Sequence, residues 1–185
     1  SEPAGLMLAA GVMLDVGALD DLRDVSPPAK LAGIVLAGSF LSLFGVSMLF
    51  FRVPFTGGDT IVLSPDLAPL VTVIVVVLFA NAINLIDGLD GLAAGIVVIA
   101  GSALFLYSDR RFKNGFLEGS NIAPLIAVIL VGVCVGFLPF NFNPARIFMG
   151  DAGALFLGLL LATTTITIGG RADYPYASST YFFSA

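Results

Sequence analysis

The chain has 185 residues, 58% hydrophobic and 11% charged, with a net charge of −5 and no histidine. A soluble domain carries about 25% charged residues, so the composition excludes an ordinary soluble domain; no basic stripe marks a nucleic-acid binder either. Without histidine the chain can offer no histidine metal site or general base, and its one cysteine, Cys134, sits in an apolar run and cannot form an intrachain disulfide.

Six apolar runs approach the roughly 20 residues that a spanning helix needs. They cover residues 5–19, 31–51, 67–86, 92–107, 122–138 and 152–168. The first starts without Met or a basic n-region, so it does not read as a signal peptide, and it runs into Asp20-Asp21. Ser26-Pro27 reads as an N-cap followed by Pro at the first helical position, opening the second run. Between the second and third runs, Thr56-Gly57-Gly58-Asp59 is flanked by Val53, Phe55, Ile61 and Val62, the pattern of a short surface hairpin. Ser64-Pro65 opens the third run, and Gly88 reads as its stop. Arg110, Arg111 and Lys113 follow the fourth as a solvated loop, and Pro139 closes the fifth. Gly91-Gly95 and Gly132-Gly136 have GxxxG spacing, which predicts close packing inside one bundle. The expected fold is an all-α polytopic transmembrane bundle of about six spans with a surface hairpin, a single transmembrane domain over residues 1–185.

Chain alternation then puts the scarce charges to use. It places Asp20, Asp21, Asp24, Asp87, Asp90 and Asp151 on one membrane face, each at the end of an apolar run. Ionisable groups at membrane depth are costly and default to a functional hypothesis. Carboxylates converging there suggest a divalent cation and a phosphate-bearing substrate. Counting Lys and Arg puts Arg23, Lys30 and Arg146 on that face, against Arg52, Arg110, Arg111, Lys113 and Arg171 opposite. By the positive-inside rule alone, the acidic face would lie outside.

Asn81, Asn84, Asp87 and Asp90 recur at i, i+3 spacing, and as far as Asp87 they form one row at the end of a helix. Interhelical hydrogen bonding is the bland reading of the two asparagines. Lys30 could bind a phosphate as a point charge or simply snorkel to the interface. Arg146 could fork onto a diphosphate or anchor its loop at the headgroups. Asp151 is either a ligand or a plain helix N-cap. Asp15, inside the first run, could line the same cavity or meet a packing partner. Hard oxygen donors without histidine or thiolate favour Mg²⁺ over zinc.

Three stretches carry a resemblance. Ala18-Leu19-Asp20-Asp21-Leu22-Arg23-Asp24-Val25-Ser26-Pro27-Pro28-Ala29-Lys30 is the first. Asn81-Ala82-Ile83-Asn84-Leu85-Ile86-Asp87-Gly88-Leu89-Asp90-Gly91 is the second, and Asn141-Phe142-Asn143-Pro144-Ala145-Arg146-Ile147-Phe148-Met149-Gly150-Asp151 the third. In this order they resemble the polyprenyl-phosphate N-acetylhexosamine-1-phosphate transferases, a family that includes the phospho-N-acetylmuramoyl-pentapeptide transferases. The resemblance implies a bundle of roughly ten spans, of which this chain would be an internal, catalytic fragment lacking the first and last. A histidine-rich loop of the family is missing too, so the fragment alone is expected to be inactive. It implies transfer of N-acetylglucosamine-1-phosphate or a related N-acetylhexosamine-1-phosphate from a UDP-sugar to a polyprenyl phosphate, with release of UMP. The setting would be the cytoplasmic face of a bacterial plasma membrane, overriding the charge count, and the pathway cell-envelope polysaccharide synthesis. It implies Mg²⁺, or Mn²⁺ in its place, with Asp151 as the direct ligand and Asp21 beside it. Asp20, Asp21, Asp87 and Asp90 become the catalytic candidates, and Lys30, Asn81, Asn84, Asn141 and Arg146 the substrate-binding ones. A homodimer is compatible with this reading. The muramoyl-pentapeptide branch is the alternative, and a cation-coupled transporter the alternative from another class, which predicts acids near the bilayer midplane instead of at helix ends.

Overall fold

The computed structural model describes residues 1–52, 60–113 and 121–170. Six helices occupy the six expected runs: α1 (Glu2–Arg23), α2 (Pro27–Leu43), α3 (Leu67–Ile86), α4 (Leu92–Lys113), α5 (Ala123–Asn141) and α6 (Gly150–Thr165), the last continued by a π-helical turn, Ile166–Gly170. α3, α4, α5 and α6 with its π turn are long and apolar enough to cross a membrane. α2 is apolar but only 17 residues long, and α1, at 22 residues, has the length but carries Asp15, Asp20 and Asp21. The chain is a polytopic membrane helix bundle. A hydrocarbon core offers backbone groups no water, so each crossing segment must satisfy them internally, as a helix does.

The ends differ from the expected ones for local reasons. The second run was expected to stay helical to residue 51, but α2 stops at Leu43. Gly45 takes φ 98°. Its N–H donates to Ser42 O at 3.1 Å, and the Val46 N–H donates to Leu41 O at 2.9 Å. That bond pair is a Schellman stop, disguised in the sequence because the residues beyond it are as apolar as the helix. The chain leaves the stop as strand β1 (Phe50–Arg52), which pairs antiparallel with β2 (Thr60–Val62), Phe51 opposite Ile61. The hairpin is therefore present in its strands; its Thr56–Asp59 tip lies outside the described residues, as does Arg171. α3 starts at Leu67 instead of at Pro65, with the Ser64 carbonyl accepting from the Leu67 and Ala68 N–H groups. Pro139 sits inside α5, which continues to Asn141. Proline forfeits one backbone bond, and so near the end the helix tolerates it. Arg110, Arg111 and Lys113 form the last turn of α4 instead of a loop, with Lys113 paired to Asp109 at 2.7 Å.

α6 is the central post. In its apolar stretch 72% of residues are buried, against 22–28% in α3, α4 and α5, whose outer faces are left for lipid. Met13, Ile34, Leu41, Val76, Leu155 and Leu159 pack one core between α6 and α1, α2 and α3. Val97, Leu130, Cys134, Leu157 and Leu161 pack a second between α6 and α4 and α5. Thr163, Thr164 and Thr165 are accommodated because each hydroxyl donates to the carbonyl four residues back, at 2.7–2.8 Å. The far end is pinned by the Leu49 N–H donating to Gly170 O at 2.7 Å.

Glycines set the crossings, but not those singled out by spacing. A Cβ at Gly158 would lie 2.5 Å from Ala80 Cα on α3, and one at Gly17 would overlap the Ala152 backbone on α6. Among the described residues, a Cβ at Gly95, Gly132 or Gly136 would meet nothing within 4 Å. Among the described residues Gly95, Gly132 and Gly136 therefore mark no close crossing, because spacing reports a helix face and not what covers it. Gly158→Ala should overpack the α3–α6 crossing by about 1–3 kcal/mol and lower the detergent melting temperature. Gly132→Ala should leave it level or raise it, through helix propensity of up to about 1 kcal/mol. Paired thermal melts read both.

Candidate functional site

The six helices alternate, so the C-termini of α1, α3 and α5 and the N-termini of α2, α4 and α6 meet at one end, opposite the hairpin. At that end the adjacent acids of α1 point to different work. Asp20 Oδ1 accepts from the Val25 N–H at 2.7 Å, folding the short loop back on the helix end. Its Oδ2 meets Lys30 Nζ at 2.8 Å. The turn between them runs through Asp24 in the left-handed region, φ 47°, and Ser26-Pro27-Pro28 then starts α2 as the sequence predicts, with Lys30 in its first turns.

Asp21 reaches α6 across 130 residues of sequence. Its Oδ1 accepts from the Asp151 N–H at 2.7 Å and its Oδ2 from the Ala152 N–H at 3.1 Å. These are donors that a helix N-terminus leaves without an intrahelical partner, and a carboxylate there also meets the positive end of the helix dipole. Asp21 is thus the cap of α6, with both carboxylate oxygens bonded to backbone N–H groups beside Asp151. Asp151 is not the cap; it stands in the first turn. Gly150 makes the fit possible. It adopts φ 66°, and a Cβ there would lie 2.7 Å from Asp21 Oδ2. In the sequence Gly150 is one letter of a motif, and nothing local marks the carboxylate that it makes room for.

Freed from capping, the Asp151 carboxylate turns to Lys30 and Asn84. Asp151 Oδ2 pairs with Lys30 Nζ, and Asp151 Oδ1 accepts from Asn84 Nδ2 at 2.6 Å. Lys30 Nζ also donates to Asn84 Oδ1 at 3.3 Å. One residue from each of α1, α2, α3 and α6 therefore closes into a single charged cluster. Asn81, one turn earlier on α3, instead donates to Val77 O of its own helix at 2.8 Å.

Beside the cluster is a cavity of about 220 Å³ whose wall includes Asp87, Gly88, Asp90, Asn141, Phe148 and Asp151. Asp90 and Asn141 hold its shape. Asp90 Oδ2 accepts from Asn143 Nδ2 at 3.1 Å and from the Ala145 N–H at 3.0 Å. Asn141, buried, accepts from the Gly91 N–H at 3.1 Å and donates to Ile147 O at 3.0 Å. These bonds tie the loop after α3 to the loop before α6. Arg146 is exposed, and among the described residues its side chain has no recorded hydrogen bond or ion pair, which leaves the guanidinium open to an anion. Phe148 was no candidate by sequence, yet its ring lines the cavity and is 75% exposed; nothing in an apolar chain marks one phenylalanine from another. Asp15 is exposed on α1 and has no recorded partner among the described residues.

Asp87 is the strained member. Burial first, then the negative charges of Asp151 and Asp21, push its carboxyl up from the ordinary 3.8 to about 6. A carboxylate with a raised folded-state value favours the folded protein only while protonated. Its cost to stability sets in as pH rises past about 4 and is complete above about 6.

Among the described residues no three His, Cys, Asp or Glu are placed to hold a metal ion together. Mg²⁺ asks for less: one or two carboxylates, with water and substrate phosphate completing its six oxygens. Asp151, Asn84 and Asp20 supply hard oxygens around one point, which is held by an ammonium. That stand-in cation shows that the oxygens converge on positive charge, and the donor set fits Mg²⁺.

Residues 3–169 match the family model described as glycosyl transferase family 4. The chain is 37% identical over 166 residues to the decaprenyl-phosphate N-acetylglucosaminephosphotransferase of Mycobacterium tuberculosis H37Rv, covering 89% of this chain and 41% of that protein. It is 38% identical to the Mycobacterium leprae protein of the same name, over 89% of this chain and 42% of the relative. To the phospho-N-acetylmuramoyl-pentapeptide-transferase of Chlorobium limicola it is 35% identical over 200 residues, covering 96% of this chain and 54% of the relative. The chain thus spans about two fifths to one half of the length of these relatives.

Two stability measurements test this geometry in detergent without divalent ions. Asp87→Asn should melt higher than wild type at pH 7.5, with the gain shrinking towards zero near pH 4. Asp21→Ala should lower stability by about 1–2 kcal/mol, the usual size of a lost cap, and Asp21→Asn by less because one acceptor oxygen remains.

Proposed function

The chain belongs to glycosyl transferase family 4, and on that premise we propose that it is the catalytic part of an integral membrane sugar-1-phosphate transferase. The donor is a UDP-N-acetylhexosamine, foremost UDP-N-acetylglucosamine, and the acceptor a polyprenyl phosphate. The reaction runs at the cytoplasmic face of a bacterial plasma membrane, as the first membrane step of an envelope polysaccharide. The observation that carries the reading is the meeting of Asp20, Lys30, Asn84 and Asp151 at one bundle end, beside a cavity walled by Asp87 and Asp90. The names of the relatives support the polyprenyl-phosphate acceptor and the N-acetylglucosamine phosphate transferred to it.

In the reaction a phosphate oxygen of the acceptor bonds to the β-phosphorus of the donor. The bond from that phosphorus to the bridging oxygen breaks, and UMP leaves with the bridging oxygen and its charge. The acceptor phosphate needs little help from a base, since its second pKa is about 6. Asp20 therefore serves chiefly to position Lys30, which it holds at 2.8 Å. Lys30 and Arg146 supply positive charge to phosphate oxygens, Lys30 as a point charge and Arg146 as a fork. Asp87 and Asp90 face the donor in the cavity, and the exposed Phe148 ring offers a flat apolar surface to its base. Asp151 and Asn84 would hold Mg²⁺, which when bound neutralises developing charge on the diphosphate. Asp21 keeps the first turn of α6 in place, and with it Asp151.

The muramoyl-pentapeptide branch is the second reading, supported by relatives that match 88–96% of this chain. UMP release by the folded full-length parent protein in detergent, with undecaprenyl phosphate and Mg²⁺, separates the two. Release is expected with UDP-N-acetylglucosamine and not with UDP-N-acetylmuramoyl-pentapeptide. Chelation should abolish it, and Asp151→Asn should cut it at least a hundredfold. The reverse donor preference would favour the second branch, and no release with any UDP-sugar would reject the enzyme reading.

A further inference from the structure

Lys30 is more fully engaged than a waiting phosphate ligand should be. An ammonium has three protons to give, and Lys30 Nζ has three acceptors: Asp20 Oδ2 at 2.8 Å, Asn84 Oδ1 at 3.3 Å, and Asp151 Oδ2. They come from α1, α3 and α6, and the Lys30 side chain is only 16% exposed. No proton is left for a phosphate oxygen while this arrangement lasts. The same oxygens surround the point where a divalent ion would take Asp151 and Asn84. An ion drawing these oxygens to about 2.1 Å would have to sit where the ammonium nitrogen now is, or close enough to repel it.

We propose that Lys30 is a built-in counter-cation that occupies the divalent-ion position of the unloaded site, and that ion binding displaces its ammonium and so delivers it to the substrate phosphate. The inference rests on the reading of this site as a metal-dependent phosphotransferase centre. It adds an order of events: one cation replaces another, and the released lysine becomes a phosphate ligand only once the ion is in place. Asp20 and Asp151 are then never left uncompensated at membrane depth, where an unpaired charge is costly. The side chain is suited to the exchange. Its Cα is fixed in the first turns of α2 behind Pro27-Pro28, while the four-carbon stem pivots freely. The exchange makes and breaks no covalent bond.

Competition gives the test. Mn²⁺ serves as the probe for a divalent ion, and its binding is read by electron paramagnetic resonance on the purified chain in detergent, without donor or acceptor. Lys30→Met keeps the bulk of the stem and removes the charge, so it should bind Mn²⁺ at least tenfold tighter than wild type. Asp151→Asn should lose binding in either background. Equal or weaker binding by Lys30→Met, with Asp151→Asn still impaired, overturns the displacement and leaves the metal reading standing. No saturable binding by folded wild type or Lys30→Met overturns both. A second measurement needs no variant, because Lys30 and Lys113 are the only lysines in the chain. Under a water-soluble acylating reagent, Mg²⁺ should speed modification of Lys30 severalfold relative to Lys113, as read by peptide mass spectrometry. An unchanged ratio at saturating Mg²⁺ overturns the proposal.

Discussion

The polar end of this bundle depends on the hold that Asp21 has on the first turn of α6. A helix end inside an apolar bundle leaves N–H groups that must find acceptors. A carboxylate from α1 meets two of them, at Asp151 and Ala152. The contact is possible only because both sides are stripped of bulk: Gly17 lets α1 lie on the Ala152 backbone, and Gly150 leaves room for the carboxylate itself. Since α6 is also the most buried helix, the junction that fixes the site fixes the bundle.

Charge compensation follows from that placement. With its backbone capped by another residue, Asp151 can direct its carboxylate to Lys30 and Asn84. Asp20 completes the ring around the same ammonium. Among the described residues Asp87 has no such partner, and its carboxyl is pushed up to about 6 because burial and two neighbouring acids oppose its ionisation. The site is therefore divided into a satisfied half around Lys30 and an unsatisfied half around Asp87, the half that a cationic ligand would relieve most.

The geometry also speaks against ion transport through the bundle. A coupled transporter places its ion ligands near the bilayer midplane, at broken helices. Here the clustered residues stand at helix ends, and the bundle interior below them is Met13, Val76, Leu155 and Leu159. Polar side chains inside α6 are threonines already bonded to their own helix. Acids gathered at a surface, next to a cavity that opens there, suit chemistry between a membrane-bound and a water-borne substrate.

The sequence by itself determined the helix count, the extent of the third apolar run, and the gathering of the three acidic motifs at one end. Long apolar runs leave a chain in lipid few options other than helices, and alternation does the rest. It also marked Asp20, Lys30, Asn84 and Asp151, because polar groups are expensive there and few. Only the tertiary structure decided what each acid does. Asp20 and Asp21 are neighbours in sequence, but about 100° apart around a helix axis, so one meets Lys30 and the other caps α6. Which glycines are crossings, that Gly45 ends α2, and that Phe148 walls the cavity were equally hidden. Each depends on what lies across a gap from a residue, and local sequence carries periodicity and chemistry but not the partner on the facing helix.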